Sequence, residues 1–185
     1  LGLTPATGSS MVMVSVMSMT PVHMQDMGYD IVVVGFTISL HIAGMYALSP
    51  VMGILADKVG KVRMIIFGQL TYLAALCTAG FGSENRWAVT IGLALLGLGW
   101  SASTVSGSAL LSSVLPPNEK TNVQGLSDSL MNLSGAVGGA LAGSVVAIFA
   151  FGGLNNFALL PVTVISVLSI LVYKQANEFQ AAAAK

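Results

Sequence analysis

The polar chemistry open to this 185-residue chain rests on few side chains, and the densest group of them is GILADKVGKVR, Gly53 to Arg63. Asp57 can accept hydrogen bonds at the amino end of a nearby helix, where the helix dipole favours negative charge. Gly60 permits a backbone angle that other residues resist. Gly53 leaves room for a neighbouring helix to approach, and Lys61 and Arg63 offer ion pairs or phospholipid contacts. An ordinary basic loop would explain the charges but not the Gly–Asp–Gly spacing.

A second set lies in apolar surroundings: His41, Trp100, Asp128 and Asn132. Ionisable groups at membrane depth are costly and turn toward a cavity or a partner. Asp128 and Asn132 stand one helical turn apart on one face. They either line the inner part of a pathway, with Asp128 coupling to a proton or a substrate, or they cap and tie helices. His41 can exchange protons where it is hydrated, or hold helices together as a neutral donor. Trp100, with Ser101, Ser103, Ser106 and Ser108 nearby, either stacks on a ligand or packs in the core. Catalysis would need His, Asp, Glu or Cys converging near one interface, and no such grouping is spaced here. The chain is therefore read as no enzyme. His23 and His41, without a matching carboxylate cluster, make a poor metal site, and no cofactor is expected. Cys77, in an apolar stretch, reads as packing. No basic patch offers itself to nucleic acid.

Apolar runs must position these residues. Asp, Glu, Lys and Arg make up 8% of the chain and hydrophobic residues 55%, where a soluble domain carries about 25% charged residues. Residues 1–25, 31–56, 64–83, 87–118 and 129–173 hold no charge, and a bilayer-spanning helix needs roughly 20 largely apolar residues. Ile31–Gly35, Met64–Phe67 and Leu93–Leu98 are continuously apolar, which argues against the alternating strands of a β-barrel. Only helices and closed barrels satisfy the backbone in lipid. The fold predicted is an all-α membrane protein, a six-transmembrane-helix bundle. Its helices are placed at about 3–23, 31–52, 64–82, 88–113, 123–150 and 155–173, with a turn at Gly152 and Gly153. Residues 1–175 form one unit and 176–185 a tail. Gly135, Gly138, Gly139 and Gly143 put small residues on one helix face, as close helix contact in lipid requires.

This topology puts both termini on one side. Lys58, Lys61, Arg63, Lys120, Lys174 and Lys185 fall on that side, and Arg86 stands alone opposite. Basic loops stay in the cytoplasm, so the termini are expected to be cytoplasmic and the membrane to be the cell inner (plasma) membrane.

The Gly53–Arg63 segment resembles the cytoplasmic signature of the major facilitator superfamily, G-x-x-x-D-x-x-G-[RK]-x-[RK], and Gly53, Asp57, Gly60, Lys61 and Arg63 all match it. HIAGMYALSPVMGILADKVGKV, LLGLGWSASTVSGSALLSSVLP and VQGLSDSLMNLSGAVGGALAG also look like uncharacterised bacterial members, so the resemblance covers nearly the whole chain. It implies half of a twelve-helix secondary transporter, the carboxy-terminal half being favoured by the start at Leu1 and the short final tail. It further implies that the Gly53–Arg63 turn is a conformational switch, packing two halves together at the cytoplasmic face and releasing as they rock. Lys61 or Arg63 would then pair with an acidic group, Glu119 being the one on the adjacent loop.

The function expected from this resemblance is alternating-access transport of a small lipophilic or amphipathic solute, as proton-coupled efflux. The implied partners are the lipid bilayer, the missing six-helix half of the same polypeptide, the solute and protons. The competing readings are a membrane-embedded enzyme, a non-transporting scaffold and a six-helix unit that works as a homodimer.

Overall fold

Polar residues, proline and glycine punctuate the apolar runs, and most helix ends follow from them. The computed structural model of the protein describes residues 3–183. The described chain folds into helices α1 Leu3–Asp26, α2 Ile31–Tyr46, α3 Ser49–Val59, α4 Lys61–Phe81, α5 Arg86–Val114 and α6 Lys120–Ala183. Asp30 caps α2, its carboxylate accepting the Val32 backbone N–H at 2.8 Å. Asn85 caps α5, its side-chain oxygen accepting the Trp87 N–H at 2.9 Å. Each satisfies one of the N–H groups that a helix start leaves open. Pro50 accounts for the gap between α2 and α3, since it has no N–H to give to the preceding turn. The Ser49 hydroxyl donates to the Met45 carbonyl there, at 2.6 Å. Gly60 separates α3 from α4 with a φ of 108°, a conformation that favours glycine.

Within α6 the backbone leaves helical geometry at Ala150, with φ 59° and ψ 179°. The two arms, residues 120–149 and 151–183, lie side by side. Leu141, Ala142 and Val145 of the first share a small cavity with Leu154, Phe157 and Ala158 of the second. The rings of Phe149 and Phe157 meet across the break with centroids 4.9 Å apart.

The expected six-transmembrane-helix bundle is corrected by this structure. Among the described residues, four helical runs are long and apolar enough to cross a membrane: Ile31–Val59, Lys61–Phe81, Arg86–Val114 and Lys120–Leu171. Two physical reasons account for the difference. α1 has 24 residues, but Ser9, Ser10, Ser15, Ser18, Thr20 and Gln25 dilute its apolar character, and it is not among the four runs. The expected fifth and sixth helices fall within one apolar run, Lys120–Leu171; its backbone breaks at Ala150, and Gly152 and Gly153, where a turn was expected, are helical.

The core sits between α1, α4, α5 and the second arm of α6, where Val16, Tyr72, Leu76, Leu93, Leu96, Phe151 and Val162 are buried together. Ile31, Val32, Phe36, Phe81, Ile91, Ile148 and Leu160 are exposed on the outside, as suits a protein whose solvent is hydrocarbon. In lipid, close packing and hydrogen bonds replace the hydrophobic effect between helices. Both are present. A Cβ on Gly68 would stand 2.9 Å from the Gly99 carbonyl oxygen, and one on Gly99 would stand 2.9 Å from that of Gly68. The buried Gln69 amide donates to Ser9 Oγ at 3.0 Å and Ser103 Oγ at 3.1 Å, joining α4 to α1 and α5. The Thr37 and Thr90 hydroxyls meet at 2.8 Å between α2 and α5.

The two ends of the bundle differ. At one, a His23 ring nitrogen lies 2.7 Å from the Ser83 carbonyl oxygen. The same ring stacks on Phe151 at 4.3 Å. His23 is thus held by protein on both counts. The other end carries the Gly60–Arg63 turn, Leu110 and Tyr173 around a cavity of about 400 Å³.

Candidate functional site

Four elements meet around a cavity of about 490 Å³: α1 brings Ser10 and Met13, α2 Met45 and Tyr46, α5 Trp100 and Thr104, and the first arm of α6 Asp128, Asn132 and Gly135. On α5 and on α6 the polar residues are spaced four apart, which puts each pair on one helix face. The Tyr46 and Trp100 rings form an edge-to-face corner, with centroids 5.9 Å apart at 64°. Gln124 Nε2 donates to Asp128 Oδ1 at 3.1 Å and to Ser108 Oγ at 3.2 Å, linking the carboxylate's helix to α5. Asn132 Nδ2 donates to the Asp128 carbonyl oxygen at 2.8 Å. Among the described residues lining the cavity, Asp128 is the one charged side chain. Trp100 Nε1 and Thr104 Oγ1 are buried without a hydrogen-bond partner. A polar atom left in that state costs about 1–3 kcal/mol.

Trp100, Asp128 and Asn132, singled out in the sequence, are thus brought together, and His41 is not. His41 is fully buried between α2 and α5. Its Nδ1 lies 2.7 Å from the Leu93 carbonyl oxygen, and the Gly97 backbone presses on it so closely that a methyl group there would overlap the His41 carbonyl oxygen. The glycine series also divides. A Cβ on Gly138 would overlap the Met11 carbonyl oxygen, and those on Gly135 and Gly139 would meet Val14. Gly143 has nothing within 4 Å.

The Gly53–Arg63 turn lies apart from this cavity. A Cβ on Gly53 would stand 3.8 Å from Val105 Cγ1, an ordinary contact rather than a close approach. Asp57 is exposed in the last turn of α3, and the start of α4 has no side-chain cap. Lys61 and Arg63 fall in the first turn of α4, against the positive end of its dipole, which costs about 0.3–1 kcal/mol per charge. Arg63 gains an offsetting contact: its Nε donates to the Tyr173 hydroxyl at 2.7 Å, its guanidinium 5.9 Å from that ring's centroid. Among the described residues no ion pair joins Glu119 to Lys61 or Arg63. For Arg63 the expected carboxylate is replaced by a phenol from the far end of α6.

Sequence reasoning did not find Tyr46, Thr104, Gln124 or Tyr173. Thr104 was within reach, one turn from Trp100. Gln124 was too, one turn from Asp128. Tyr46 and Tyr173 come from elements whose pairing only the fold reveals.

Residues 4–184 match the model of the Major Facilitator Superfamily. The chain is 40% identical over 171 residues to the uncharacterized MFS-type transporter YdeG of Bacillus subtilis, covering 89% of this chain and 40% of YdeG. It is 39% identical over 163 residues to the uncharacterized MFS-type transporter YddS of the same organism, covering 84% and 37%. It is 26% identical over 136 residues to the riboflavin transporter RfnT of Brucella anthropi, covering 72% of this chain and 33% of RfnT. The chain therefore spans less than half the length of these curated relatives. With a family match along almost its whole length, this helical multi-pass membrane chain belongs to the Major Facilitator Superfamily, a family of transporters rather than of enzymes.

Proposed function

We propose that this chain supplies one wall of the solute pathway in a secondary transporter. The transporter moves a small lipophilic or amphipathic solute by alternating access, and the rest of the polypeptide closes the pathway. The observation that carries this reading is the cavity of about 490 Å³, whose lining mixes apolar and aromatic side chains with a few polar groups. That mixture is typical of small-molecule sites. The relative named as a riboflavin transporter suits a wall that offers Tyr46 and Trp100 to a planar ring. A cavity with no arginine or lysine in its described lining disfavours phosphorylated or dicarboxylate solutes.

Asp128, the one carboxylate at the cavity, supports proton coupling, and efflux is the direction we assign. The unit is residues 1–175, seated in the cell membrane with the Lys58–Arg63 turn in the cytoplasm. The concentration of Lys58, Lys61 and Arg63 at that turn supports the orientation. The turn itself acts as the conformational switch, with Arg63 held by Tyr173 in the state described here.

The test is solute flux by the full-length protein in proteoliposomes, with a panel that includes riboflavin and an imposed pH gradient. Trp100→Ala and Asp128→Asn are expected to lower flux about tenfold or more. Unchanged flux in both would sink the assignment of the cavity. Solute flux that neither moves protons nor responds to the gradient would remove proton coupling alone.

A further inference from the structure

We infer that the apolar cavity between α1 and the two arms of α6 holds the end of a membrane lipid's acyl chain. The cavity measures about 150 Å³ and shares no lining residue with the cavity at Asp128. Its floor is Val12 of α1, Ala142 of the first arm, and Leu154 and Ala158 of the second, all of them buried. Its mouth is flanked by Leu141 and Phe157, which are 52% and 55% exposed. All three walls therefore come from this chain, and the opening is edged by side chains that suit hydrocarbon.

The packing around the cavity keeps it from closing. α1 is pinned to the first arm at Gly135 and Gly138, where a Cβ would meet Val14 and the Met11 carbonyl oxygen. It is pinned to the second arm at Gly8, where a Cβ would overlap Ile165 Cδ1. The arms are pinned to each other by the Phe149 and Phe157 rings, 4.9 Å apart. Each pair of walls is already in contact, so no helix can move inward to take up the space between them. Left empty, that space would deprive its lining of dispersion contacts.

Polarity and size select the occupant. Among the described lining residues Ser15 is the one with a polar side chain, and its hydroxyl is already given to the Met11 carbonyl at 2.8 Å. A buried water needs two or more polar partners, which this lining does not offer. An apolar cavity of this size stays dry and accepts a molecule of about six carbons. A helix of the same or another polypeptide, about 10–12 Å across with its side chains, is too broad to enter. The end of an acyl chain is narrow, flexible and apolar, and the surrounding bilayer supplies it.

The experiment uses the full-length protein in vesicles of phosphatidylethanolamine and phosphatidylglycerol. A trace of phosphatidylcholine carries a diazirine at the end of one acyl chain, and labelled residues are mapped by mass spectrometry after illumination. Leu76, fully buried in the core, sets the background, and Leu160, exposed on the outer surface, marks ordinary lipid contact. Val12 and Leu154 are expected to be labelled well above Leu76 although they are buried. Ala158→Phe fills the floor and is expected to drop both to the Leu76 level while Leu160 keeps its label. If Ala158→Phe does not fold, Ala142→Leu fills the same space from the other arm. The inference is overturned if Val12 and Leu154 are labelled no more than Leu76 in the wild type, or if their labelling survives a folded filling variant. Labelling absent from Leu141 and Phe157 as well would show the mouth covered by protein, and would overturn it equally.

Discussion

Along the seams of α5 with α2 and α4, glycines stand where a methyl group would strike backbone. Along the outer face of the first arm of α6, glycine meets nothing. Gly97 lies against His41 and Gly99 against Gly68, and a Cβ on Gly92 would stand 2.9 Å from the Ala79 nitrogen. Gly125 and Gly143 have no neighbour within 4 Å. The sequence suggests the opposite emphasis, because the four-residue glycine spacing is most regular at Gly135, Gly139 and Gly143. Spacing puts small residues on a face, but only a partner backbone turns that face into a contact. Of the regular series, the stretch over α1 is tight and the end beyond it is open.

Alanine substitutions break or sharpen this contrast. The largest effect is expected at Gly97→Ala, where α2 and α5 would have to separate, costing about 3 kcal/mol. Unfolding in mixed micelles would measure it, and a loss below that of Gly143→Ala would end the contrast. Gly138→Ala should cost about 2 kcal/mol by the same measurement, since the Met11 carbonyl and Ser15 must both move. Ala150→Gly tests the break in the α6 arm itself. A non-glycine residue at φ 59° and ψ 179° stores roughly 1–3 kcal/mol of strain. Relieving it should raise stability by about 1 kcal/mol, net of the entropy glycine adds to the unfolded chain. A decrease would mean that Ala150 is unstrained. Gly143→Ala should change stability least, within about 0.5 kcal/mol, and a cost comparable to that at Gly138 would reveal a hidden partner for this face.

The sequence made the apolar runs and the basic turn legible, because each depends on local chemistry; the break before Pro50, inside the helix expected at 31–52, was not read. It also marked three of the cavity residues, because polar groups in apolar runs have few reasons to be there. Helix pairing was not legible. In a soluble helix an apolar stripe reports the buried face. Here Phe36 and Leu160 face outward and Leu76 and Val162 face inward, so composition does not distinguish the sides. That is why His41 was left open between a cavity role and a helix-tying one, when it packs at the α2–α5 seam, and why Glu119 rather than Tyr173 was named as the partner of Lys61 or Arg63. The number of spans was misjudged for a different reason. Gly152 and Gly153 look like a turn, yet the backbone breaks at an alanine that nothing in the sequence marks.

The Gln69 amide has a bearing on how wide the cavity can open. It grips Ser9 and Ser103, and their chain neighbours Ser10 and Thr104 form part of the cavity surface. The spacing between the α1 and α5 walls is therefore clamped from behind by hydrogen bonds. Near Asp128 the α6 wall is fastened to α5 through Gln124 and Ser108. Both walls of the cavity are thus tied by side-chain hydrogen bonds from outside its lining, so its width is set by residues that do not form its surface.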